Sequence, residues 1–269
     1  MPGLGIGISP IFRWGMDSGG APSVLQPWYD SLSVKPSEGL WTDLKILAQT
    51  LVDAGKWSLI DFLSIIAAME TNEQRLRPLF TSSGLDITAV GGYTLDVNGF
   101  LGNGTTGYLD FNWNGSLDAV NYALNDSCFG GYTGTLGTSG RRMMGVSSTA
   151  LASNCSIQRS ASINYQINSV TPNASSTGGV NGLKSIRRTS STNIVGKTNT
   201  TDGSAVVNSS VAIPNFNFFG SALSIDGSPF FLSSDTQRMF FIGASSLQTD
   251  DILYTALNTF WAARGLTTF

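Results

Sequence analysis

Histidine is missing from this chain of 269 residues, and no other absence removes as much chemistry. Histidine-based triads, zinc–histidine centres and imidazole acid–base work are excluded. Glutamate is nearly missing too: Glu38, Glu70 and Glu73 are the only three, all in the first third. Paired-carboxylate glycan hydrolysis has to draw on aspartates. Asp96 and Asp110 fall in expected strands, where a solvent-facing carboxylate is the simpler reading. The expectation from these gaps is that the chain is not an enzyme and uses no cofactor. Two cysteines, Cys128 and Cys155, are too few for a disulfide framework. Reduced thiols are expected, and a bond between the two stays open. Charged residues make up only 12%, low for a protein that stays dispersed alone, so a surface partly covered in an assembly is expected. No run approaches the ~18 apolar residues of a membrane span. The start, Met1 to Gly7, lacks the positive region and apolar core of a signal peptide. No membrane contact is expected, and the Asn-x-Ser/Thr sites (Asn103, Asn114 and others) read as products of composition.

What is present is glycine, at 31 residues, with Ser, Thr and Asn crowding the second half. That mixture suits many short strands joined by turns. Residues 1–35 carry Gly and Pro with isolated Phe12, Trp14, Trp28 and Tyr29, and hold no helical or strand period. Pro36-Ser37-Glu38 opens a helix with Leu40, Leu44, Leu47 and Leu51 on one face, stopped by Gly55. Leu59 to Met69 is apolar almost throughout and is read as a turn into a central strand. Glu70 to Leu79 suits a brief helix. Strands are then expected at Tyr93–Val97, Gly99–Leu101, Tyr108–Trp113, Leu183–Arg188, Thr192–Val195, Ala205–Val211 and Asn215–Phe219. A single half-buried strand is expected over Ile157–Ile167, where apolar and polar residues alternate. Gly102-Asn103-Gly104 reads as a tight reversal, and Asp202-Gly203 and Asp226-Gly227 as turns. The last thirty residues run from the apolar strand Phe240-Phe241-Ile242 into a helix. Thr249 or Asp250 caps it; Ile252, Leu253, Ala256, Leu257, Phe260 and Trp261 form its apolar face, and Gly265 stops it.

Charge is unevenly spread. Residues 127–201 hold seven basic groups (Arg141, Arg142, Arg159, Lys184, Arg187, Arg188, Lys197) and no acid. Either strands from all regions interleave and the charges mix, or a basic face centred on Arg141, Arg142, Arg187 and Arg188 meets an acidic neighbour. Nucleic acid is not an expected partner, because the basic residues are sparse and no recognised motif surrounds them.

Several segments carry a resemblance: Leu4 to Phe12, Leu51 to Trp57, Gly99 to Leu109, Ser185 to Thr192, and the strand-to-helix ending. In this order the chain resembles tailed-bacteriophage virion proteins with a concanavalin A-like (laminin G-like) jelly roll. Residues 114–155 match least. The Glu-x-Asp-x-x-Glu motif of jelly-roll glucanases is absent. The resemblance implies a mainly β jelly-roll sandwich with an N-terminal arm (1–35), a helical segment packed on the sandwich (36–82), and a sandwich with a docked C-terminal helix (83–269). It also implies a virion location after synthesis in the host bacterial cytoplasm. The expected role is a decoration or fibre module on capsid or tail, touching other virion proteins and associating with itself, a trimer being the expected form. Phe12, Trp14, Trp28 and Tyr29 are the candidate anchors, since aromatic residues concentrate interface energy. The alternative is a lectin-like module that recognises a host surface glycan on a platform of Tyr108, Trp113, Tyr122 and Tyr132.

Overall fold

The structure is a computed structural model that describes residues 23–137, 141–159, 162–171, 173–175 and 180–269. Two curved sheets face each other, and helices cover the outer face of one. The first sheet runs, edge to edge, through Thr201–Asp202, Asn193–Thr198, Gly182–Arg188, Ser127–Thr135, Thr236–Gly243, Ile60–Ile65 and Phe80–Thr81. The hairpin of Tyr93–Asp96 and Gly99–Gly102 joins it at the start of Thr236–Gly243. The second sheet runs through Asn173–Ser175, Ile163–Ser169, Ser153–Arg159, Arg141–Ser148, Asn217–Gly220, Tyr108–Asn114 and Thr88–Val90. The mainly β sandwich class is the one the sequence implies.

The central strands of the first sheet, Ile60–Ile65 and Thr236–Gly243, carry adjacent apolar residues such as Phe62-Leu63 and Met239 to Ile242 because both of their faces are buried. Phe62, Phe129, Ile186, Phe240 and Ile242 point between the sheets, onto Phe111, Trp113, Ile157, Tyr165 and Phe218. Leu63, Tyr132, Leu183, Met239 and Phe241 point outward, onto Leu40, Leu44, Leu47 and Leu51 of the helix Glu38–Asp53 and onto Leu257, Phe260 and Trp261 of the helix Ile252–Ala263. The sandwich therefore has two cores, one inside it and one beneath the helices.

Local signals set the helix ends. The Ser37 hydroxyl accepts from the Leu40 N–H at 3.3 Å, and Gly55 takes a φ of 67° just past the helix. At the last helix the N-cap is Asp251, whose side chain makes no cap bond, rather than Thr249 or Asp250; the Asp250 carboxylate, one residue earlier, accepts from the Ile252 N–H at 3.1 Å. Two buried lysines clamp this junction. Lys56 reaches the Ser246 carbonyl at 2.7 Å and the Asp250 carboxylate at 2.6 Å. Lys197 reaches the Asp250 carbonyl at 2.8 Å and the Asp251 carboxylate at 2.7 Å. Charges from different chain regions meet here and at Arg187–Asp202 and Arg159–Asp235, so the sequence-level charge split is mixed by the wiring of the strands.

Four local expectations change. Ile60–Ile65 is a strand between two others, so residues 36–82 contribute to the sandwich itself rather than forming a helical attachment. The run Ile157–Ile167 is two strands, with Ile163 opposite Arg159. Directly opposed residues share a face, so odd-numbered positions stay inward on both sides of the reversal and the alternation passes through it unbroken. Gly102-Asn103-Gly104 does not join paired strands; Gly99–Gly102 belongs to the first sheet and Tyr108–Asn114 to the second. The Asn103 side chain shapes that crossing by accepting from the N–H groups of Thr105, Thr106 and Gly107. Over Ala205–Val211 only Val206–Val207 is strand. Asp226-Gly227 behaves as read: with φ of 50° and 84° it closes the hairpin of Leu223–Ile225 and Ser228–Phe230.

Candidate functional site

The aromatic residues expected to form a glycan platform are mainly core residues. Trp113, Tyr122 and Tyr132 are buried. Trp113 and Tyr122 pack with Phe218 between the sheets. Tyr132 lies on the other side of the first sheet, its ring 4.2 Å from that of Trp261. Their polar tips are satisfied internally: the Trp113 N–H donates to Ser82 Oγ at 2.9 Å and the Tyr122 hydroxyl to Asn168 Oδ1 at 2.9 Å. Tyr108 alone keeps some accessible surface, beside Phe219 at 4.7 Å. Residues on opposite sides of a sheet cannot share a ligand, so this platform does not exist.

The expected basic face is also divided. Arg188 is fully buried, and its guanidinium donates to the carbonyls of Ile167, Ser190, Ser191 and Asn208. Arg187 forms a two-bond pair with Asp202 at 2.8 and 2.7 Å. Both lie on the first sheet, while Arg141 and Arg142 lie on the second. Among the anchors, Phe12 and Trp14 lie outside the described residues. Trp28 is buried and donates to the Arg77 carbonyl at 3.1 Å. Tyr29 is half-buried, 4.5 Å from the Trp41 ring and beneath the Lys35 ammonium. Trp28 and Tyr29 fix their own helix, Gln26–Ser31, to the body. Rings spent inside the fold are not free to hold a partner.

A cluster that the sequence reading did not single out stands where Arg141 faces Arg159, at one end of the second sheet. Phe230 and Phe231 end the Asp226-Gly227 hairpin and are 46% and 45% exposed. Phe231 has a φ of 52°, a conformation rarely adopted by a bulky side chain and concentrated at functional positions. Its carbonyl accepts from the Arg142 N–H at 3.0 Å, and the Arg142 guanidinium lies 5.3 Å above its ring. Cross-strand pairing sets Gln158 beside Arg142 and Asn164 beside Gln158, on one face. Arg142 Nε is buried without a hydrogen-bond partner, and no carboxylate among the described residues pairs with this guanidinium. Burial alone pulls its pKa down to about 10.

Behind this row the sandwich interior is polar. Arg159 and Asp235 pair at 2.6 Å, and Asp235 also accepts from the Gly137 N–H at 2.6 Å. Lys184, 1% exposed, has one long contact, 3.5 Å to the Gly182 carbonyl. Burial pulls its pKa down to about 8. Gln237 Nε2 is buried with no partner. The outer row offers an aromatic face, two amide side chains and a cation; such a set can stack on a sugar ring and hydrogen-bond its substituents. The signal was legible only in part: Pro229-Phe230-Phe231 follows one residue after a turn dipeptide, and Arg141-Arg142 opens a strand.

No protein-family model matches the chain, and no curated protein matches it. Several solved structures are similar in part. A mutant of Trypanosoma rangeli sialidase displaying trans-sialidase activity aligns with a TM-score of 0.45 and 11% identity, over 84% of this chain and 40% of its own. Domain 4 of AbnA, a GH43 extracellular arabinanase from Geobacillus stearothermophilus, in complex with arabinotriose, aligns at 0.41 and 11%, over 72% and 99%. The NanB sialidase from Streptococcus pneumoniae aligns at 0.37 and 10%, over 45% and 22%. The chain thus spans less than half the length of these sialidases. The likeness is one of fold. The expectation that the chain is not an enzyme is nonetheless corrected. The physical reason is that a missing histidine removes only histidine chemistry. Glycoside cleavage also runs on aspartates or on a tyrosine nucleophile, and this chain has both residue types. No helix among the described residues is long and apolar enough to cross a membrane.

Proposed function

We propose that this chain is a surface module of a tailed-bacteriophage particle, a decoration or fibre component joined to capsid or tail through its leading segment and associating with copies of itself. One observation carries the reading: the two ends of the module are differently committed. Leu25, Trp28 and Leu32 are buried in the helical layer, so the described chain begins at Ser23 on the helix-covered side of the first sheet. The second sheet, with Phe230, Phe231 and Arg142, lies on the other side. A tether on one side and a free face on the other is the arrangement a projecting module needs. Residues 1–22, with Phe12 and Trp14, are the attaching segment in this reading. The low charge of the surface supports partial coverage by neighbours.

The test is a truncation made at the right place. Removing residues 1–35 would strip Leu25, Trp28 and Leu32 from the core and unfold the body. Removing residues 1–22 leaves them in place. The expected result is an unchanged melting temperature together with loss of the protein from purified particles. Particles that still carry the truncated chain at full occupancy would overturn the reading.

A second reading, recognition of a glycan, is favoured by the exposed Phe230 and Phe231 beside Arg142, in a row that continues through Gln158 to Asn164. Exposed aromatic residues next to amide side chains suit a sugar's apolar face and its hydroxyls.

A further inference from the structure

We infer that the Arg142–Phe231 pair is a receptor for a carboxylate, and that the ligand of this face is an acidic glycan such as a polyuronate. The inference deepens the glycan reading and rests on it; it does not depend on whether the chain sits on a particle. Three observations converge.

The first is the state of Arg142. Apart from Arg141, the other partly or fully buried arginines of the described body are engaged. Arg159 pairs with Asp235, Arg187 with Asp202, and Arg77 with Asp86. Arg188 is saturated with carbonyls, and Arg238 donates to the Thr267 carbonyl and lies over three aromatic rings. Arg142 has no hydrogen-bonded side-chain partner, and its Nε is sealed from water. A desolvated cation with no counter-charge is costly to keep. It binds an incoming anion more strongly than a hydrated one does, because part of the desolvation cost is already met in the free protein.

The second is its geometry. The guanidinium lies over the Phe231 ring at 5.3 Å, and its own backbone N–H is bonded to the Phe231 carbonyl at 3.0 Å. Main chain and side chain are tied to one residue, so the planar fork is held in place before a ligand arrives. Such a fork matches the two oxygens of a carboxylate. Phe231 keeps its left-handed φ of 52° while leaving its ring nearly half exposed. Local backbone strain spent on displaying an aromatic ring points to a binding role.

The third is the surroundings. Gln158 and Asn164 continue the row away from Arg142 across two strands. Asn164 supplies a neutral donor and acceptor for hydroxyls, and no acidic side chain among the described residues stands in the row to repel an anion. The interior Lys184 is sealed at 1% exposure and makes no contact with such a ligand. A free anion would satisfy Arg142 alone; the neighbouring rings and amides fit the sugar that carries it.

The experiment is calorimetric titration of the full chain with trigalacturonate, its methyl ester and a neutral galactotriose. The ester keeps the sugar and removes the charge. We expect the acid to bind at least tenfold more tightly than the ester, with a gap that narrows as salt rises. Arg142→Gln should bring the acid down to the affinity of the ester. Arg142→Lys should recover only part of the gap, because an ammonium lacks the fork. Arg141→Gln, which removes the same charge from the adjacent position, should leave the gap in place. No variant should melt below the wild type, since the Arg142 side chain makes no hydrogen bond that folding needs, and Arg142→Gln should melt somewhat higher because it removes a desolvated charge. Binding of all three sugars with equal affinity, unchanged in Arg142→Gln, would overturn the inference while the glycan reading stands. Binding of none of the three to the folded wild-type chain would overturn both.

Discussion

The two outer faces of the sandwich are finished to different degrees. On the first sheet the outer face lies under two helices. Its charged groups there are paired: Lys56 and Lys197 each bind a carbonyl and a carboxylate, and Ser185 donates to Gln248 at 3.0 Å, while the neutral Gln248 Nε2 and Trp261 Nε1 are buried without a partner. On the second sheet, at the Arg142 end, a cation has no partner and an aromatic ring stands half exposed on a disfavoured backbone. Stability accounts for the first face and not for the second. Where every local rule agrees, a region is explained by folding; where one is broken with no compensating contact, function is the remaining explanation.

The comparison is broken most severely by attacking the finished face. Trp261 is fully buried against Tyr132 and beneath the Arg238 guanidinium. Trp261→Ala should cost about 3–5 kcal/mol in urea unfolding. A loss under about 1 kcal/mol would mean that the helix is not docked.

The next largest effect is expected in the interior between the faces. Burial holds the Lys184 pKa near 8, against 10.5 for a free lysine. Between those values the unfolded chain binds the proton and the folded chain does not, so this group makes stability rise with pH over that window. Below about pH 8 both states are protonated, and a constant penalty remains. Tyr122, Tyr165 and Cys128, whose pKa values are raised by burial, act in the opposite sense at alkaline pH. The informative quantity is therefore the difference between the wild type and Lys184→Met. The variant should be more stable by on the order of 2–3 kcal/mol at pH 7, with the advantage fading toward pH 10.5. A pH-independent difference would show that Lys184 is not the buried cation described.

The smallest effect belongs to the unfinished face. Phe231→Gly removes a left-handed penalty of about 1–2 kcal/mol but loosens the unfolded chain by about 0.5–1 kcal/mol. A net gain of about 0.5 kcal/mol is expected in thermal unfolding, together with weaker trigalacturonate binding. Lower stability with full binding would remove the distinction between the two faces.

How much was legible follows from the range of each interaction. The helices at Glu38–Asp53 and Ile252–Ala263 were readable because their periodicity, caps and stops lie within a few residues of each other. The hairpin at Asp226-Gly227 was readable because two left-handed residues define it. The break within Ile157–Ile167 was hidden because the inward positions keep their parity across it. The site residues were less readable. Tyr132, Trp113 and Tyr122 look like lectin aromatics in sequence, and burial alone shows that they are core. Arg141, Arg142, Arg187 and Arg188 look like one basic group. Their partners decide otherwise, and those partners lie well outside any local window, as Asp202 does for Arg187, 15 residues on.

By itself the sequence determined that the chain is rich in short strands and that histidine chemistry is excluded, because composition, periodicity and turn residues act locally. Which sheet each strand joins, which rings are core and which cation is left unpaired were decided only when the chain closed on itself. Those properties are set by contacts between residues far apart in the chain, and no local pattern encodes them.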